Sequence, residues 1–175
     1  TQSQKMSKNI GIRGFPGGGK SWCCLYAVIY AMSCGLQCLT TAMMAKRASM
    51  LGGLHWHKFF GLPSDAKLTP QRMAELSINK LERNATALNA ILTLDFIFAD
   101  ELGQLSSEFV SAINIILCRL RKNNSLFGGV LLIGSLDHTQ IQPWKVRDRI
   151  YYSTNSFSQS RANTISFLKG ETISL

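Results

Sequence analysis

Gly14-Phe15-Pro16-Gly17-Gly18-Gly19-Lys20-Ser21 places four of the chain's fourteen glycines, a lysine and a serine in eight positions. The spacing Gly14-x-x-x-x-Gly19-Lys20-Ser21 fits a phosphate-binding loop. Glycines there let backbone N–H groups turn inward around a di- or triphosphate, and the lysine reaches the terminal phosphates. The serine hydroxyl would hold Mg²⁺. Such a loop needs a strand before it and a helix after it. Asn9 to Arg13 supplies a candidate strand, and the apolar run Trp22 to Met32 is long enough for a buried helix, stopped at Cys34-Gly35.

The flanking text continues the alternation. Leu36 to Ala42 reads as a second strand and Met43 to Leu51 as a helix ending at Gly52-Gly53. The aromatic and basic stretch LHWHKFFGLP follows. Thr69-Pro70 is an N-cap with a first-turn proline, opening a loosely periodic helical region through Leu92 with a break near Asn84. Leu94 to Ala99 is a strand running into Asp100-Glu101, and Ser106 or Ser107 caps a helix whose Phe109, Ile113, Ile116, Leu117 and Leu120 share a face. Val130 to Gly134 is a further apolar strand, and Thr164 to Leu168 a last one within a Ser- and Asn-rich tail. Strands alternating with helices predict an α/β fold with a parallel sheet covered on both sides.

Composition sets outer bounds. With 175 residues and 46% hydrophobic content, one domain with a sizeable core is expected. Nineteen Lys and Arg against ten Asp and Glu give a net charge of +9, which suits an anionic partner such as nucleic acid or an acidic surface. The longest apolar run is too short to span a membrane and follows no basic leader, so neither a membrane helix nor a signal peptide is expected. Five cysteines without a Cys-x-x-Cys pair read as ordinary buried thiols of a reducing, intracellular compartment.

A phosphate loop also needs a metal-side carboxylate. Asp100, at the carboxyl end of an apolar strand, stands where such a ligand belongs, and Glu101 is placed to deprotonate an attacking water.

Taken together, GFPGGGKS, TTAMMAKRASMLGGLHWHKFF, IFADELGQLS, the Phe127-Gly128-Gly129 turn and GSLDHTQIQPW resemble, in order and spacing, the successive motifs of the PIF (petite integration frequency) DNA helicases. These are superfamily 1 motors related to RecD that move 5′ to 3′ on single-stranded DNA. The resemblance runs from about residue 8 to about residue 145. It implies a RecA-like P-loop domain over residues 1–175, residues 146–175 carrying no assignment, in a nucleus or other DNA-containing compartment. It also implies that the chain is a fragment whose partner, a second RecA-like domain, lies outside these residues.

Residue by residue, the resemblance implies ATP binding by Gly14, Gly17, Gly18, Gly19, Lys20 and Ser21. It implies Mg²⁺ at Ser21 and Asp100, water activation by Glu101, and γ-phosphate sensing by Gln140. Lys46, Arg47, His55 and His57 would face DNA phosphates, and Trp56 or Phe59 would stack on a base, unless these rings belong to the core. One departure stands out. The family pattern Gly-Asp-x-x-Gln-Leu-Pro-Pro is replaced by Gly134-Ser135-Leu136-Asp137-His138-Thr139-Gln140-Ile141-Gln142-Pro143, with the Asp displaced and the loop two residues longer. Two other classes share parts of the pattern: a nucleic-acid-binding remnant without turnover, and a non-helicase P-loop ATPase acting on DNA.

Overall fold

The structure, a computed structural model, describes residues 9–42, 45–63, 68–136 and 171–174. Strand β1 (Ile10–Arg13) leads through the glycine loop into helix α1 (Lys20–Ser33), followed by β2 (Cys38–Ala42), α2 (Ala45–Met50), β3 (Leu54–His55) and α3 (Trp56–Phe60). Helices α4 (Pro70–Glu82) and α5 (Ala85–Leu92) precede β4 (Phe96–Asp100), and a short 3-10 turn (Leu102–Gln104) joins it to α6 (Ser107–Arg121). A second such turn, Leu126–Gly129, leads to β5 (Leu131–Leu136), and β6 (Glu171–Ser174) completes the described chain.

All strands pair in parallel, in the order β3-β2-β4-β5-β1-β6. The chain leaves β1 towards β2 in one direction and β4 towards β5 in the other. The carboxyl ends of β1, β5 and β4 therefore open a crevice, where ligands of parallel sheets bind.

Strand β4 is buried along its whole length, and alternation divides its side chains between two cores. Phe96 and Phe98 pack with Ile12, Cys24 and Val28 beneath α1. Ile97 and Ala99 face the larger core built by α3 to α6, which contains Trp56, Phe60, Met73, Ile91, Val110 and Ile116.

The helix boundaries follow local chemistry. Thr69, Asn84 and Ser106 each accept a backbone N–H through their side chains at the starts of α4, α5 and α6. The break expected near Asn84 is where α4 ends and α5 begins.

The expectation of a fully buried helix after Ser21 is corrected. Helix α1 buries Lys20, Cys24 and Val28, whereas Trp22 is 78% and Tyr26 75% exposed. One face suffices to cover Phe96 and Phe98, and among the described residues nothing lies over the other. The stretch from Leu54 to Phe60, read only as aromatic and basic, is a two-residue strand followed by a short helix. The strand expected at residues 164–168 lies outside the described residues; β6 was not marked by the sequence pattern. Among the described residues no helix is long and apolar enough to cross a membrane.

Candidate functional site

The glycine loop turns because Gly17 (φ +79) and Gly19 (φ +77) adopt left-handed backbone conformations that a side chain would strain. Gly18 N–H closes the turn on Phe15 O at 3.1 Å. Helix α1 then starts at Gly19 without a side-chain cap and without an acidic residue in its first turn, unlike α4, α5 and α6, whose first N–H groups are capped. An uncapped helix start at the end of a glycine loop is a site for an anion. Lys20 is 8% exposed, and its Nζ donates to Gly14 O at 2.7 Å and Phe15 O at 2.9 Å, folding the cation over its own loop.

Ser21 reaches across to β4: its Oγ donates to Asp100 Oδ1 at 3.1 Å. These two residues, 79 positions apart in sequence, offer hard oxygen donors of the kind Mg²⁺ takes. Among the described residues no group of three or more His, Cys, Asp or Glu could hold a metal ion. Glu101 follows in a left-handed conformation (φ 53), uncommon for a residue with a side chain, and its carboxylate accepts from Gln104 Nε2 at 2.7 Å.

Ser135, at the end of β5, joins the two acidic residues. Its Oγ donates to Asp100 Oδ1 at 2.7 Å and accepts from Glu101 N–H at 2.8 Å. A cleft of about 420 Å³ lies over these groups, with Gly17 to Ser21, Asp100, Glu101 and Ser135 on its polar side and Trp22, Leu25, Met50 and Leu51 as an apolar wall. That is the size of a small-molecule site. Behind it, burial and the Asp100 charge push the Cys24 thiol up to about 12, so it stays protonated and is no nucleophile.

The structure thus brings Gly14, Gly17, Gly18, Gly19, Lys20, Ser21, Asp100 and Glu101 to one crevice. Gln140 lies outside the described residues. Ser135 and Gln104 were not singled out by the sequence; only the Gly134-Ser135 departure pointed near the first.

The residues expected along DNA lie on the β2–β3 side. His55 pairs in register with Ala42, and Ala42 with Asp100, so all three share a row at the carboxyl edge of the sheet. Lys46 is exposed on α2, which also carries Arg47. His55 Nδ1 caps α3 by accepting from His57 N–H at 3.3 Å, which leaves Nε2 as the protonated nitrogen of the neutral ring. The His57 ring stacks on His55 at 4.9 Å and meets Phe109 edge-on at 4.8 Å. Burial, and secondarily His55, hold its pKa below the ordinary histidine value.

Trp56 corrects one expectation. It is 1% exposed and stacks on Phe60 in the core, so no face of the ring is open to a base. In an extended strand that enters a helix, His55 and Trp56 point to opposite sides, and the apolar one faces inward.

The family model for PIF1-like helicases matches residues 1–167. A curated relative, the ATP-dependent DNA helicase Pif1 of Psychrobacter sp. (strain PRwf-1), is 25% identical over 139 residues, covering 79% of this chain and 20% of that protein. The crystal structure of Pif1 helicase from Candida albicans superposes with a TM-score of 0.74 at 24% identity, over 97% of this chain and 36% of the other. Pif1 helicase from Bacteroides, in complex with ADP-AlF3 and ssDNA, gives 0.70 at 21% identity, over 98% and 39%. The chain therefore spans about a fifth of the Psychrobacter relative and well under half of these solved chains. With the phosphate loop, the Asp100-Glu101 strand end and a family match over nearly its whole length, the chain belongs to the PIF1-like helicase family.

Proposed function

We propose that the chain is an ATP-binding and hydrolysing motor domain of a helicase that moves 5′ to 3′ on single-stranded DNA, in a reducing compartment that holds DNA. The observation that supports it most directly is the meeting of Lys20 and Ser21, at an uncapped helix start, with Asp100 from β4. A nucleotide-analogue and ssDNA complex of the Bacteroides relative is consistent with it.

Phosphates entering the crevice replace the Gly14 and Phe15 carbonyls as partners of the Lys20 ammonium and accept from backbone N–H groups of the loop and of the first turn of α1. Ser21 and Asp100 would hold Mg²⁺, which when bound neutralises charge on the phosphates. Glu101, oriented by Gln104, accepts the proton of the attacking water. Gln140 is assigned the sensing of the γ-phosphate.

The test is a fluorescent-nucleotide titration of wild type and Lys20→Ala. Charge-assisted hydrogen bonds contribute about 1.5–3 kcal/mol each, so the variant should bind at least about tenfold more weakly. Equal affinity overturns the assignment.

A further inference from the structure

The β4–β5 ladder runs from Phe96–Leu131 to Ala99–Gly134, whereas β4 stays paired with β2 one residue further, at Asp100–Ala42. At the next row towards β5 the two strands are joined through a side chain instead. Ser135 Oγ donates to the Asp100 carboxylate at 2.7 Å and accepts the Glu101 N–H at 2.8 Å, and Ser135 is 2% exposed. A hydroxyl is the smallest group that donates and accepts at once. The geometry points to Ser135 as a positioning residue that sets the Asp100 carboxylate towards Ser21 and holds Glu101 in its left-handed turn. In that role it tunes the affinity of the Ser21–Asp100 pair for Mg²⁺.

The chemistry explains why a serine serves here where an aspartate would not. A carboxylate at 135 could still accept the Glu101 N–H, but it could not donate to Asp100 and would set a second negative charge against it. Glu101 needs such a tie, because a non-glycine residue at φ 53 persists only where its surroundings hold it. Groups that orient metal-binding carboxylates in this way commonly change metal affinity tenfold or more when removed.

The inference rests on the nucleotide-site reading for its Mg²⁺ part only, so two measurements separate the two. In hydrogen exchange without nucleotide, Ser135→Ala should speed the Glu101 amide about tenfold or more while the Phe98 amide, inside β4, keeps its rate. Ser135→Thr, which retains the hydroxyl, should restore protection. In nucleotide titrations, Ser135→Ala should raise the Mg²⁺ concentration for half-maximal effect about tenfold and be rescued by Ser135→Thr. An unchanged Glu101 amide overturns the tie. A changed amide with unchanged Mg²⁺ dependence overturns the positioning role. A wild-type chain that binds no nucleotide overturns the nucleotide-site reading and, with it, the Mg²⁺ role, while the exchange result stands by itself.

Discussion

His57 shows what a single side chain contributes to both fold and pH response. Its Nδ1 is buried without a hydrogen-bond partner among the described residues, its ring is held between His55 and Phe109, and burial lowers its pKa. Below the ordinary value of about 6.5 the unfolded chain takes up a proton that the folded chain resists. The stability associated with a neutral His57 is therefore fully present above about pH 6.5 and is lost as pH falls through the lower, folded-state value. Urea unfolding at pH 7.5 and pH 5.5 should show a smaller acid loss in His57→Gln than in wild type, and an identical loss in both would remove His57 as the cause. The sequence showed this residue only as one of two spaced histidines, since its neighbour Phe109 lies 52 positions away. Lys20, Ser21 and Asp100 were legible because motif spacing and a strand end define them locally. Ser135 was not, because its role exists only once β4 and β5 are in register, and Trp56 was ambiguous because composition does not say which side of a strand-to-helix junction faces inward.

At the scale of elements, Arg121 closes the back of the larger core. Its Nε donates to Gly128 O at 2.9 Å, and its Nη1 donates to Ile91 O at 2.9 Å and Leu92 O at 2.8 Å. One guanidinium thus caps the carbonyl end of α5 and holds the Phe127-Gly128-Gly129 turn that leads into β5. Glycine is required at 128, where a Cβ would come within 2.6 Å of Leu117 O at φ +61. That Arg121 bonds carbonyls of another helix is visible only in the packed fold. Arg121→Met keeps much of the apolar stem and removes the three bonds, and should cost about 1–3 kcal/mol in urea denaturation. No measurable change would mean that water replaces the guanidinium without loss. Strand β4 was the most legible, because a buried parallel strand is continuously apolar, whereas the short β3 and the edge strand β6 carry no such run. The exposed side of α1 is as apolar as its buried side, and the pattern alone could not tell them apart.

Across the whole molecule, the nucleotide crevice and the candidate DNA track lie on one edge of one sheet. His55, Ala42 and Asp100 occupy the same row on β3, β2 and β4, so at about 4.8 Å per strand the two regions are on the order of 10 Å apart. The candidate track is rich in positive charge: the chain carries +9, Lys46 and Arg47 sit on α2 beside that edge, and of the two rings expected to stack, Trp56 is buried. Binding to single-stranded DNA should therefore be weak, largely sequence-independent and steeply salt-dependent. Each phosphate contact contributes about 0.7 to the slope of log affinity against log salt for single strands, so replacing both Lys46 and Arg47 by Ala should flatten it by about one unit or more. Fluorescence anisotropy with a labelled oligonucleotide at several salt concentrations measures this. The same double variant should keep wild-type nucleotide affinity, since both residues lie on α2 and not on the phosphate loop or the end of β4. An unchanged slope would move the track away from α2, and a parallel loss of nucleotide binding would mean that the substitutions had disturbed the sheet edge rather than removed two phosphate contacts.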